Sequence, residues 1–504
     1  MRILLILTLA IVTIVLSGCN QTLTVKRVDT KPNILVILTD DQKHDTFGNK
    51  TNGEVITPNI DLLAKNGLSF NNAYIMGSPH GAVCSPSRAM LMTGKPFFNL
   101  DEKVYAMWEY PKEQRGDTNN LTFPEYLKQQ GYTTFATGKQ HNGKYWLERG
   151  FDQVKAGFIG GMSTHFGMPV ADYTKQDGWS DVYREKKQFS SELFADSAID
   201  FIKQQNAENP FLVYLSFTAP HDPRTAPNSY HEEYKARTVT MPKNIMPEHP
   251  FPVADMNIRA ERLVPFPRTP KLVEKEIRDY YAMVSATDFQ IGRVLAQLEK
   301  SGLVDNTIVI FTSDNGLSLG QHGLMAKQTV YEHSVKIPMI MKGPGIPIGK
   351  STDAYAYLHD VFPTLVDAAH GPMPKSIESK SLMPIIKGEK NNVRDAMFYT
   401  YNAWRFESEK FYKTGNPFGS HRAIRQGDFK LIVSNKDGVT TEQLFNLKQD
   451  PWELENLVHK TKFKTKRDQM FSLLKQKMDQ HSDPSQRDYK QFGQFNTISS
   501  NVQS

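Results

Sequence analysis

Continuous apolar runs rich in β-branched residues, spaced by helical segments along most of the chain, predict an α/β protein in which helices sandwich one large, mostly parallel mixed sheet. A change of texture beyond about Leu382, to short paired strands and one late helix, predicts a smaller α+β subdomain at the C-terminal end. The 504 residues are 39% hydrophobic and 23% charged, which suits a water-soluble globular chain and excludes a disordered or multispan membrane protein. A formal net charge of +6, with no dense basic run, fits an anionic ligand and argues against a nucleic-acid partner.

In chain order, Arg2 precedes an apolar run from Ile3 to Leu16. That run is too short for a bilayer core of roughly 30 Å and stands where a secretory signal belongs. Leu16-Ser17-Gly18-Cys19 resembles the lipobox of bacterial lipoproteins, which implies removal of residues 1–18, lipid on Cys19 and a polar tether over residues 19–30. The expected location is then periplasmic or on the outer membrane, with the lipid as the only membrane contact. Cys84 is the sole remaining cysteine, so no intramolecular disulfide is expected. The large domain is expected over residues 31–382, the subdomain over 383–481 and a polar tail over 482–504.

Asn33 to Leu38 reads as a strand buried on both faces and ends in Thr39-Asp40-Asp41. Thr57 is a candidate N-cap with Pro58 at the first helical position; Ile60, Leu63 and Ala64 form an apolar stripe, and Gly67 is placed to end the helix in a left-handed conformation. A weaker strand, Tyr132 to Ala136, leads to Gly138-Lys139-Gln140-His141, and Phe211 to Phe217 leads to Thr218-Ala219-Pro220-His221. Tyr280 to Leu298 has helical spacing, and the strand from Thr307 to Thr312 runs into Ser313-Asp314-Asn315-Gly316. In the C-terminal part, Arg422 to Arg425 and Phe429 to Val433 pair around Gln426-Gly427-Asp428, while Phe463, Met470, Leu474 and Met478 mark an amphipathic helix. Ligands of open α/β sheets sit outside the carboxyl ends of the strands, so the four polar clusters can converge on one site.

Cys84-Ser85-Pro86-Ser87-Arg88 leads a short helix that Gly94 can end. The unpaired N–H groups and dipole of that helix favour an anion at Cys84, and Arg88 lies one turn along. Cys-x-Pro-Ser-Arg, with Thr93-Gly94 five residues further, resembles the signature of the formylglycine-dependent (type I) sulfatases. Asp40-Asp41, Thr57-Pro58-Asn59-Ile60-Asp61, Gly138-Lys139-Gln140-His141, Pro220-His221-Asp222-Pro223, Ser313-Asp314-Asn315-Gly316 and Gly323-Leu324-Met325-Ala326-Lys327 match that family in order. Glu442 to Leu447 with Asp450-Pro451 resembles its C-terminal subdomain, so the likeness runs from about Lys31 to about Leu457.

The resemblance implies an alkaline-phosphatase-like fold, hydrolysis of sulfate esters, and oxidation of Cys84 to formylglycine by a sulfatase-maturing enzyme. One hydroxyl of the formylglycine hydrate would attack sulfur and the other would help expel sulfate. Asp40, Asp41, Asp314 and Asn315 offer only hard oxygen donors, favouring Ca²⁺ or Mg²⁺ over zinc; the resemblance points to Ca²⁺, with the group at Cys84 as a further ligand. By the same likeness Lys139 and Lys327 would bind sulfate oxygens and Arg88 would orient the hydrate. His221 would protonate the leaving alkoxide, and His141 would take the proton of the second hydroxyl. After Tyr331-Glu332 many members carry a second acid and a Gly, whereas this chain has His333, a candidate substrate contact.

The segments Asn142 to Asp181, His221 to Arg268 and Asn402 to Arg422 are long and rich in Trp, Tyr, Arg and His, which suits a sulfated sugar chain. Trp146, Arg224, Arg259, His421 and Arg422 are the candidate contacts there. The expected substrate is a sulfated polysaccharide or oligosaccharide, such as an algal galactan, an ulvan-like polymer or a glycosaminoglycan. Two other readings stay open: a formylglycine-dependent phosphonate monoester or phosphodiester hydrolase, and a glycan-binding lipoprotein in which Cys84 is never oxidised. A two-zinc phosphatase would need more His and Asp ligands than the clusters supply.

Overall fold

Alternate residues of β1 (Asn33–Thr39) face two different cores, which is why the run is apolar without a break. Ile34, Val36 and Leu38 pack with the helices Cys84–Thr93, Phe123–Gln129 and Val361–Ala368. Leu35 and Ile37 pack with the helices Pro58–Lys65, Ser190–Lys203 and Pro270–Lys300 on the opposite face. Each such buried aliphatic side chain contributes on the order of 1.5–3 kcal/mol. The computed structural model describes residues 31–51, 53–107, 119–250, 260–403, 406–407, 410–411, 419–436 and 439–483. The expected signal and tether, Cys19, Arg259 and residues 484–504 lie outside the described residues.

Among the described residues, ten strands form the main sheet. They are β1, β2 (Leu68–Tyr74), β4 (Thr133–Lys139), β5 (Gln153–Phe158), β6 (Ala171–Thr174), β7 (Gly178–Trp179), β8 (Phe211–Ser216), β9 (Thr307–Ser313), β10 (Met339–Lys342) and β11 (Lys350–Tyr357). Their order is β11-β2-β10-β9-β1-β8-β4-β5-β6-β7. The centre, β9-β1-β8-β4-β5, is parallel throughout, with antiparallel pairings at β10 and beyond β5. The carboxyl ends of β9, β1, β8 and β4 therefore lie side by side, and the four polar clusters follow those four strands.

A second sheet runs β17-β16-β15-β12-β3, from β3 (Gly77–Ser78), β12 (Met397–Ala403), β15 (Gly419–Gln426), β16 (Phe429–Lys436) and β17 (Val439–Asn446); β13 (Phe406–Glu407) and β14 (Lys410–Phe411) form a separate ribbon. Ile424, Leu431, Val433 and Leu444 bury one face of this sheet against Met470, Leu474 and Met478 of the helix Lys464–Gln480. Since β3 comes from the N-terminal part of the chain and pairs with β12, one strand of this sheet belongs to the segment leading to Cys84.

Three local expectations need correction. The Thr57 hydroxyl bonds Asp61 (3.1 Å) and does not cap its helix. The cap comes instead from Asp288, whose carboxylate accepts from the N–H groups of Asn59 (3.2 Å) and Ile60 (2.8 Å). Asn66 ends that helix, and Gly67 is needed for a different reason: a Cβ there would lie 2.4 Å from the Met341 carbonyl oxygen. Gly94, by contrast, has φ 65° and closes its helix as expected. Finally, the expected tail begins later, because Asp483 is buried and forms an ion pair with Arg422.

Candidate active site

The polar clusters meet around Cys84, the first residue of its helix, which is buried as a free thiol. From β1, Asp40 and Asp41 project beyond Thr39; from β9, Asp314 and Asn315 project beyond Ser313. The Asp41 N–H donates to Asp314 Oδ1 (3.1 Å) and Asn315 Nδ2 donates to Asp41 Oδ1 (2.6 Å), so the two strand ends are stitched together. Lys139, the last residue of β4, donates to Asp40 Oδ2 and lies 3.8 Å from the Cys84 sulfur. Arg88, fully buried, donates from Nε to Asp314 Oδ2 (2.8 Å) and from Nη1 to Ser216 Oγ (2.6 Å) and the Lys139 carbonyl (3.0 Å). Lys327 donates to Asp41 Oδ1.

The two histidines approach from different sides. His141 Nδ1 lies 3.3 Å from the Cys84 sulfur. His221 faces Asp41 Oδ2 with Nε2 at 3.8 Å, and its Nδ1 donates to the Asp222 carbonyl (2.7 Å). Asp41 (φ 66°) and His141 (φ 62°) hold left-handed backbone conformations, a local cost of about 1–3 kcal/mol each that the surrounding contacts must offset.

Burial sets the charges here. It drives His141 well below the usual imidazole range, assisted by Lys139 and Arg88, so its ring is a neutral base. Burial raises the Cys84 thiol, while Lys139 and Lys327 oppose that rise. For Asp40 burial also pushes upward, but Lys139, His221 and Arg88 outweigh it and keep the carboxylate ionised. Burial and the Asp40 charge push Asp314 up. Burial disfavours the Lys327 ammonium, yet Asp41 leads a set of negative groups that holds it charged. Asp40 Oδ1 and Asn315 Oδ1 are buried without a hydrogen-bond partner. Ligand atoms of Asp40, Cys84 and Asp314, and of Asp40, Asp41 and His221, lie within 4.8 Å of one another, so these groups could hold a metal ion.

A model of the sulfatase family matches residues 32–371, more than half of the chain and all four strand ends. The chain belongs to the sulfatase family. A second model, described as N-sulphoglucosamine sulphohydrolase, C-terminal, matches residues 320–482 of this sulfatase. It is 28% identical to an N-acetylglucosamine-6-O-sulfatase of Bacteroides thetaiotaomicron, over 90% of this chain and 87% of the relative. It is 29% identical to an ulvan-active sulfatase of Formosa agariphila, over 94% of this chain and 87% of that one. Among solved structures, one in complex with its substrate D-glucosamine-2-N,6-O-disulfate superposes with a TM-score of 0.72 at 25% identity, covering 92% of this chain and all of that one. The sulfatase is accordingly a sulfuric ester hydrolase.

The candidate substrate contacts fare differently from the centre. Trp146 packs in the main core. His421 is buried in the second sheet against Ser434 Oγ (3.1 Å), and Arg422 is fully buried on Asp483. His333 stacks on Tyr331 and is buried as well. Arg224 follows His221 closely in the chain, and its guanidinium is paired with Glu276. The structure adds residues that sequence reasoning missed. Asn142 donates to the Ser85 (2.9 Å) and Val104 (2.8 Å) carbonyls and ties the His141 turn to the Cys84 helix. The Tyr280 hydroxyl donates to the Asp41 carbonyl (2.7 Å) and accepts from the Lys43 N–H (2.9 Å), while His165 Nε2 bonds the His221 carbonyl (2.8 Å). Asn142 adjoins His141 and was there to be found; nothing in the spacing of Tyr280 or His165 marks them.

Proposed function

We propose that this sulfatase hydrolyses sulfate esters of a sulfated carbohydrate, with formylglycine derived from Cys84 and a Ca²⁺ ion held by Asp40, Asp41, Asp314 and Asn315. The observation that carries this reading is the pairing of a buried cysteine with unpartnered oxygens of Asp40 and Asn315 inside a ring of basic groups. The donors fit a hard cation: they are oxygens, and the like charges of Asp40 and Asp314 favour a divalent counter-charge. When bound, Ca²⁺ would neutralise charge at a sulfate oxygen, and formylglycine would supply the hydroxyl nucleophile.

The chain's own side chains do the rest. Lys139 and Lys327 present ammonium groups for sulfate oxygens, and both are held in place by the Asp40–Asp41 pair. Arg88 fixes the Cys84 helix against Asp314 and β8. At His221, donation from Nδ1 to the Asp222 carbonyl fixes the ring, and Nε2 faces Asp41, placed to pass a proton to the departing sugar oxygen. His141, neutral and aimed at position 84, can receive a proton from the group there. The activities named for the N-acetylglucosamine-6-O-sulfatase and the ulvan-active sulfatase support a sulfated sugar as the substrate.

Mass spectrometry of the Cys84 peptide, from protein made alongside a sulfatase-maturing enzyme, tests this reading together with turnover of sulfated oligosaccharides in Ca²⁺. An aldehyde or its hydrate at Cys84 with sulfate release is expected. An intact thiol beside a modified control sulfatase, or preference for an aryl phosphodiester over an aryl sulfate, would overturn it. The lipobox further supports a lipid tether at Cys19; metabolic labelling with palmitate should be lost in Cys19→Ala.

A further inference from the structure

About the loop that carries Lys327 lies a second group of ligating side chains. His322 precedes Lys327, His333 follows it, and Glu453 comes from the C-terminal part of the chain; all three are buried. One nitrogen of each ring and a carboxylate oxygen lie within 4.8 Å of one another. The Trp452 backbone accepts a hydrogen bond from His322, whose Nε2 has no partner. Metal-binding histidines are oriented in this way, by an acceptor behind the ring. His333 Nε2 is likewise buried without a partner.

We propose that His322, His333 and Glu453 form a binding site for a borderline divalent transition-metal ion, Zn²⁺ in the first instance. Two imidazoles and one carboxylate suit zinc with water in the remaining position and suit Ca²⁺ poorly. Lys430 stands beside Glu453 Oε1 (2.9 Å), and it is also paired with Glu332 Oε1 (2.9 Å), so the ammonium keeps a counter-ion when a Glu453 oxygen binds the metal. Glu453 Oε2 meanwhile accepts from the Glu332 N–H (2.8 Å), which holds the carboxylate in position. The ion would join both ends of the Lys327 loop to the C-terminal sheet region, a structural clasp separate from the oxygen-rich centre at Asp40. The inference does not depend on the proposed substrate or on formylglycine.

The test uses the full chain, stripped with chelator, reloaded with excess Ca²⁺ and then exposed to Zn²⁺ or Co²⁺. About one equivalent of Zn²⁺ should survive gel filtration, and Co²⁺ should give the visible absorption of a low-coordinate nitrogen and oxygen site. His322→Ala and His333→Ala should abolish both signals, while Cys84→Ala, which removes the thiol of the Asp40 centre, should leave them intact. Passage of wild-type protein through the column without zinc would overturn the proposal, as would loss of the signals in Cys84→Ala alone. The wild-type result stands without any variant, so misfolding of a histidine variant cannot shelter the idea.

Discussion

At His221 the ring is fixed through Nδ1 and faces Asp41 through Nε2, a geometry that matters most when the leaving group is a poor one. His221→Ala should therefore lower kcat on a sugar sulfate by about 10²–10⁴ and have a much smaller effect on an aryl sulfate with an acidic phenol. Steady-state rates on the two substrates check this, and equal losses would remove His221 from the acid role. Single residues were also where the sequence was most and least legible. Asp40, Asp314, Lys139 and Cys84 stand at strand ends or a helix start, and local patterning reveals such positions. Trp146, His421 and Arg422 have the same composition as glycan-binding residues, and only the fold shows that each is buried. A polar type in a long irregular segment carries no signal of which way it turns.

Among the elements, β4 carries Lys139 into the site and lies hard against β8. Gly138 has φ 87°, and a Cβ there would sit 1.9 Å from the Ser216 carbonyl oxygen of β8. Gly138→Ala should destabilise the protein by about 2–4 kcal/mol and misplace Lys139, read as a lower urea midpoint and a higher KM for the sulfate ester. The helix Pro58–Lys65 gives a pH signature. Burial pushes its capping carboxyl, Asp288, up to about 6 from 3.8. Between about pH 4 and pH 6 the folded chain keeps that proton while the unfolded chain has lost it, so this contribution to stability falls as pH rises and is level above. The drop is on the order of 2–3 kcal/mol, and Asp288→Asn should abolish that part of the slope in urea unfolding between pH 4 and 7. The strands and their order of polar clusters could be read from β-branched runs; the cap at Asp288 could not, because it comes from a helix more than two hundred residues away.

For the whole molecule, the C-terminal region is part of what holds the centre. Arg422 is fully buried and paired with Asp483, so Asp483→Ala should cost about 3–5 kcal/mol in global unfolding, measured by denaturant titration, by breaking a buried ion pair. The two-sheet plan was legible in outline from the change of texture after Leu382, whereas the recruitment of Gly77–Ser78 into the second sheet was not, since two residues make no periodic pattern. That short pairing also has a consequence for the order of events during synthesis. Ser78 pairs with Tyr401, and Arg88 with Asp314, so the segment around Cys84 cannot close until chain made hundreds of residues later has left the ribosome. At about 5–20 residues per second, the interval is on the order of tens of seconds. During that interval Cys84 has not reached its buried setting, so under the formylglycine reading proposed above the place of β3 in the chain would leave time for the modification.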